Sequence, residues 1–194
     1  MNKIIAVFLG IMALSVAFLY FGSYNKDNKK VMPILQSKTE KVDETKFTMK
    51  ITSAAFNHNE KIPNKYTCDG ENINPPLQFL DIPNNTKSLV FIVDDPDAPA
   101  KTWVHWVVYN INPNVTEVEE GNIPEGGAEG MTDFGSPGYG GPCPPSGIHR
   151  YFFKLYALDS VLDLPQNATK QVVEEKMDSH IIDKVELIGL YSRE

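Results

Sequence analysis

Short β-branched and aromatic runs, each ended by a cluster of proline, glycine and asparagine, leave this chain little room to be anything but a β-sheet protein. The strongest run is Trp103 to Ile111, WVHWVVYNI, and the next is Arg150 to Leu158, RYFFKLYAL. Leu89 to Val93 predicts a short buried strand. Phe47, Met49 and Ile51 alternate with Thr48, Lys50 and Thr52, the pattern of a half-buried strand. Val185 to Tyr191 predicts a last strand, with Gly189 at a bulge or a close approach. Turn clusters fall at 72–76, 83–85, 96–99, 121–130 and 135–145. This irregular punctuation predicts an all-β sandwich of two antiparallel sheets, not alternating strands and helices. One or two short helices fit. The clearest spans Asn167 to Ile181, with Asn167 as N-cap and Val172, Val173, Met177 and Ile181 on one face.

The N-terminus follows a different pattern. Ile4 to Phe21 is an uncharged apolar run between Lys3 and the lysines at 26, 29 and 30. Eighteen helical residues would reach about 27 Å, near the thickness of a bilayer core. Residues 1–22 are therefore expected to form a transmembrane signal anchor, 23–45 a polar linker and 46–194 the folded domain. A cleaved signal and secretion is the alternative. Flanking lysines alone would keep the domain inside. The N-x-T sequons at Asn84, Asn114 and Asn167, with a disulfide if one forms, favour an extracytoplasmic, membrane-anchored domain.

The net charge of −7 is unevenly spread. Residues 1–45 carry +2 and the remainder −9. An acidic domain repels nucleic acid as a general partner, although a local pocket can still take a small anion. Cys68 and Cys143 form no C-x-x-C pair, which excludes a cysteine-built zinc site. They are either two buried thiols or one disulfide.

Three polar residues sit where strands end or turn inward. His105 lies inside the WVHWVVYNI run, where period two groups Trp103, His105, Val107, Tyr109 and Ile111 on one face. His149 precedes RYFFKLYAL in phase with Tyr151 and Phe153, and Asp95 closes LVFIVDD before Pro96. Each has an ordinary structural explanation: a satisfied core histidine, or a turn-opening aspartate. Gly135 to Pro145, GSPGYGGPCPP, offers backbone N–H groups at Gly138, Tyr139, Gly140, Gly141 and Cys143 inside a proline-stiffened loop. That suits an anion held by N–H groups and imidazoles, or a loop that merely crosses the surface.

Asp95-Pro96-Asp97-Ala98-Pro99 and His105-Trp106-Val107-Val108-Tyr109-Asn110-Ile111 resemble motifs of the phosphatidylethanolamine-binding protein family. So do the stretch Gly138 to Pro145 with Gly147 and His149-Arg150-Tyr151, the segments Tyr66 to Gly70 and Asn74 to Leu77, and Tyr156 to Asp159. The segments Tyr66 to Gly70 and Asn74 to Leu77, and Tyr156 to Asp159, resemble in particular the bacterial and archaeal, Raf-kinase-inhibitor-like branch. The resemblance implies a two-sheet sandwich with a small pocket for phosphate, phosphorylethanolamine head groups or similar anions. Carried onto this chain, the pocket residues would be Asp95, His105, Gly141, Pro144, Pro145, His149 and Tyr151, with Tyr139 at the rim and Trp103 packing nearby. Cys68 and Cys143 fall near the implied pocket mouth, where pairing would brace the loop. Family members that inhibit kinases or proteases imply such a partner as the alternative function. The eukaryotic branch often adds a C-terminal helix over the pocket, and this chain ends soon after Tyr191.

The expectation is thus a non-enzymatic binding protein, with no catalytic residue, cofactor or metal. Its partners would be a small anion or phospholipid head group, and the membrane through the N-terminal helix. Two enzymatic arrangements compete: a two-His-one-carboxylate metal site from Asp95, His105 and His149, and a Cys143–His149 hydrolase.

Overall fold

The computed structural model describes residues 48–193. They form nine strands and one α-helix: β1 (Lys50–Thr52), β2 (Glu60–Lys61), β3 (Leu77–Leu80), β4 (Ser88–Asp95), β5 (Trp103–Ile111), β6 (Glu117–Val118), β7 (Ala128–Glu129), β8 (His149–Leu158), α1 (Lys170–Met177) and β9 (Ile181–Tyr191). A small sheet has the order β1-β3-β6, and a large one the order β2-β9-β8-β4-β5-β7. The large sheet is mixed, because β2 pairs with β9 in parallel. The expectation of two purely antiparallel sheets is corrected there: two residues of an edge strand are too few to leave a sequence signature.

The core lies in two layers. Ile51, Leu77, Phe79 and Val118 of the small sheet meet Phe91, Trp106, Val108, Tyr151, Phe153 and Leu155 of the large one. On the other face, Val90, Ile92, Val107 and Tyr109 pack against Val173 and Met177 of α1. All eight residues of β4 are buried, as expected of a central strand covered on both faces.

Three expectations change. First, the fold class expected to include a transmembrane helix is not supported. The 4–21 run and the 23–45 linker lie outside the described residues, as does Phe47. Among the described residues no helix is long and apolar enough to cross a membrane. The eight residues of α1 span about 12 Å, less than half a bilayer core.

Second, α1 starts later than expected. Its N-cap is Thr169, whose side chain accepts from the Val172 N–H, while Asn167 takes a left-handed turn at φ 59°. Val173 and Met177 are the buried pair.

Third, β5 does not keep period two. Val93 pairs with Trp106 and Asp94 with Val104, leaving His105 as an extra residue at a bulge. A second shift, between Leu89 and Phe91, falls opposite Asn110, which has φ 58°. His105 and Trp106 therefore lie on the same side as Tyr151, while Val107 and Tyr109 join the helix layer.

Gly189 marks a close approach. A Cβ there would stand 2.5 Å from the Ile62 side chain and 2.8 Å from Phe56. Gly189→Ala is expected to lower stability by about 1–3 kcal/mol through overpacking. Urea unfolding reads this directly, and an unchanged midpoint would show that Ile62 yields without cost.

Candidate functional site

The ends of β4, β5 and β8 surround a cavity of about 360 Å³. Asp95, His105, His149 and Tyr151 line it, together with Ala98, Pro99, Trp103, Phe134, Cys143, Pro144 and Pro145. Asp95 and His105 are 3% exposed, His149 is 7% and Tyr151 is 0%. Such depth makes every unpaired polar atom costly.

The Asp95-Pro96-Asp97 turn organises the start of β8. Asp95 Oδ1 accepts from the Asp97 N–H at 2.8 Å, and its Oδ2 lies 2.7 Å from His149 Nδ1. Asp97 points outward and takes the next residue along. Its carboxylate accepts from Arg150 Nε at 2.8 Å, Arg150 Nη2 at 2.7 Å and the Arg150 backbone N–H at 3.0 Å. Arg150 holds the Asp97 carboxyl down at about 2. Two aspartates flanking one proline thus grip successive residues of β8 from inside and outside.

His105 is held by the Gly/Pro loop. Its Nδ1 donates to the Gly140 carbonyl at 2.6 Å, and its own carbonyl accepts from the Gly140 N–H at 2.9 Å. The Tyr151 and Phe134 rings stand edge-on to the imidazole at 5.2 and 5.4 Å. Burial pushes the His105 imidazole below its ordinary value, against the Gly140 carbonyl and the charges of Asp95, Asp94 and Asp133. The Tyr151 hydroxyl is buried without a well-formed hydrogen bond among the described residues. Its near polar neighbours are Asp95 and the backbone of Cys143, and burial raises its ionisation far above the usual phenol range.

Six of the eight residues expected at the site line this one cavity: Asp95, His105, Pro144, Pro145, His149 and Tyr151. Tyr139 and Gly141 do not. They line a smaller concavity of about 260 Å³ on the other side of the loop. The Tyr139 hydroxyl donates to the Tyr66 carbonyl at 2.9 Å, and its ring packs edge-on against Trp106. The Gly141 N–H donates to Asn72 Oδ1 at 2.8 Å. A Cβ on Gly141 would approach the Tyr66 carbonyl to 2.6 Å. The loop N–H groups expected to hold an anion are therefore partly spent, at Gly140 on His105 and at Gly141 on Asn72.

Cys68 and Cys143 form a disulfide. With the Cys68 N–H donating to the Pro142 carbonyl, it fastens the cavity wall to the segment around Tyr66. The resemblance places Trp103 only nearby, and neither it nor the residue pattern points to Phe134, yet both rings line the cavity. Phe134 is 48% exposed, and its only sequence signal is an aromatic residue directly before the Gly135 to Pro145 loop. The metal arrangement loses its geometric basis, because Asp95 Oδ2 faces His149 Nδ1 and not a shared centre. Among the described residues no group of three His, Cys, Asp or Glu side chains could hold a metal ion.

Comparison with known proteins adds three findings. The family described as phosphatidylethanolamine-binding protein matches residues 52–192. The UPF0098 protein of Methanothermobacter thermautotrophicus is 53% identical over 150 residues, covering 75% of this chain and 99% of the relative. UPF0098 protein PH1269 of Pyrococcus horikoshii is 49% identical over 160 residues, covering 77% and 79%. Among solved structures, the phosphatidylethanolamine-binding protein homolog CT736 of Chlamydia trachomatis is similar with a TM-score of 0.74 and 44% identity, covering 76% of this chain and 99% of that one. E. coli YbcL, described as a member of the mammalian family, gives 0.71 and 31%, covering 75% and 99%.

Proposed function

The chain belongs to the phosphatidylethanolamine-binding protein family, and from that premise we propose that its cavity binds a small oxyanion, such as the phosphate of a phosphorylethanolamine head group, without transforming it. The observation that carries this reading is the convergence of His105, His149 and Tyr151 on one apolar-walled cavity, with polar atoms left over inside it. His149 Nδ1 faces Asp95 and His105 Nδ1 faces Gly140, so each ring keeps its Nε2 for a guest. The Tyr151 hydroxyl supplies a third polar atom. Trp103, Phe134, Pro144 and Pro145 would exclude water around the guest and strengthen those bonds. A binding site needs no more than this.

The same reading covers location. The Cys68–Cys143 disulfide suits an oxidising compartment. The domain is therefore proposed to work outside the reducing cytosol.

Titration of the full chain with O-phosphorylethanolamine, followed by calorimetry or by the ³¹P signal, tests the assignment. His149→Ala is expected to weaken binding about tenfold or more, by removing the hydrogen bond that a protonated ring, paired with Asp95 through Nδ1, gives the anion from Nε2. Wild-type affinity in that variant would overturn the assignment.

A further inference from the structure

The polar inventory of the cavity constrains the ligand further, given the oxyanion reading above. A carbonyl oxygen can only accept, so the 2.6 Å contact to Gly140 makes His105 Nδ1 the N–H of the ring. In the neutral imidazole, Nε2 is then an acceptor, and a fully ionised oxygen facing it would meet a lone pair.

A second proton on His105 finds little support from its surroundings. The ring is 3% exposed, between the rings of Tyr151 and Phe134. The carboxylates that act on it are engaged elsewhere. Asp95 faces His149, Asp94 is paired with Lys154 and Lys170, and Asp133 with Lys101 and the Val104 N–H. Among the described residues no lysine or arginine lines the cavity. Arg150, next along β8, is held on the outside by Asp97. Asp95 contributes one negative charge and His149 at most one positive, so with His105 neutral the wall is at best uncharged. The loop N–H groups of Gly140 and Gly141 are spent as well. A dianion would be buried with nothing to balance it, which is among the costliest arrangements in a protein.

We infer that the cavity selects an oxyacid that keeps one proton, a phosphate monoester as its monoanion, whose P–O–H donates to His105 Nε2 while another oxygen accepts from the Tyr151 hydroxyl. The Tyr151 hydroxyl, which makes no well-formed hydrogen bond among the described residues and has only Asp95 and the Cys143 backbone near it, and the unprotonated Nε2 form a donor and acceptor pair that matches a P–O–H beside a P–O⁻. A sulfate monoester has the same shape but no proton to give in the neutral range, so it leaves Nε2 facing a bare oxygen.

The test is calorimetric titration of the full chain with methyl phosphate and with methyl sulfate at constant salt. The second ionisation of a phosphate monoester falls near pH 6, so methyl phosphate affinity should drop about tenfold per unit above roughly pH 6.5. Methyl sulfate should bind at least about tenfold more weakly at pH 6, the loss of one hydrogen bond to a charged group. Binding of the two esters with equal affinity, or methyl phosphate affinity unchanged up to about pH 8, would overturn the selection while leaving oxyanion binding intact. Should both affinities rise in parallel as pH falls, histidine protonation and not the ligand's proton is responsible, and the inference also fails. If neither ester binds at any pH, the oxyanion reading itself falls.

Discussion

Replacing Cys68 and Cys143 together by alanine is expected to lower the unfolding free energy by about 4 kcal/mol. The disulfide joins residues 75 apart, and the chain-entropy cost of closing a loop of that length gives this figure. For a domain of this size the loss corresponds to a melting temperature lower by roughly 10 °C. The native contacts that accompany the disulfide limit what is lost in the folded state. The Cys68 N–H still reaches the Pro142 carbonyl, the Tyr139 hydroxyl still reaches Tyr66, and the Gly141 N–H still reaches Asn72. The loop should therefore keep its path. Cys143 and the next two prolines nevertheless line the cavity, so anion affinity should fall along with stability. Melting curves followed by circular dichroism, for the oxidised protein, the reduced protein and the double variant, would settle the matter. A melting temperature within about 2 °C of the oxidised protein's would mean that the unfolded chain gains almost nothing from release of the loop.

The parts of the architecture legible in the sequence are those where burial leaves a periodic or continuous apolar signature. Trp103 to Ile111 is β5 at both ends, and the second run needed only His149 added to become β8. Alternation at Met49 and Ile51 likewise reflects their burial against the other sheet. What stayed hidden depends on partners distant in the chain. The two-residue strands β2, β6 and β7 exist because longer strands offer them free backbone groups, and their own residues carry no signal. The bulge at His105 is set by the register of β5 against β4, so strict alternation assigned Val107 and Tyr109 to the wrong face. The site shows the same division. Asp95, His105 and His149 could be singled out as polar residues at strand ends, and motif resemblance joined them into one pocket. The glycine loop was legible as a place of close approach, but the use of its N–H groups was not. Gly140 bonds to His105 and Gly141 to Asn72, two partners that local sequence could not reveal.

Adjacent aspartates on β4 should fail in opposite ways when replaced. Asp94 is fully buried toward the helix layer, with Lys154 Nζ 2.8 Å from Oδ1 and Lys170 Nζ 2.5 Å from Oδ2. Lys154 comes from β8 and Lys170 from the first turn of α1, so this carboxylate fastens the helix to the sheet. Asp94→Ala would strand two ammonium groups beside an apolar layer, at a cost of about 3–5 kcal/mol for a broken buried pair. The lower end is expected, since Lys154 and Lys170 keep 25% and 18% of their side chains exposed and can turn outward. Asp95 lies on the cavity side, where it faces the His149 ring and caps the Asp97 N–H. Asp95→Asn preserves shape and keeps one accepting oxygen for the Asp97 N–H while turning an NH₂ toward His149, so stability should change by only about 1 kcal/mol. Without the carboxylate, however, His149 loses the group that fixes its tautomer and ring orientation. Affinity for O-phosphorylethanolamine should then fall about tenfold, the worth of one well-placed hydrogen bond in a dry site. Chemical denaturation and ligand titration on both variants separate the two effects. The division of labour is refuted if folded Asp94→Ala protein no longer binds, or if Asp95→Asn binds as well as the wild type. In that case the two faces of β4 would be energetically one unit, and the cavity could not be assigned to its own lining residues.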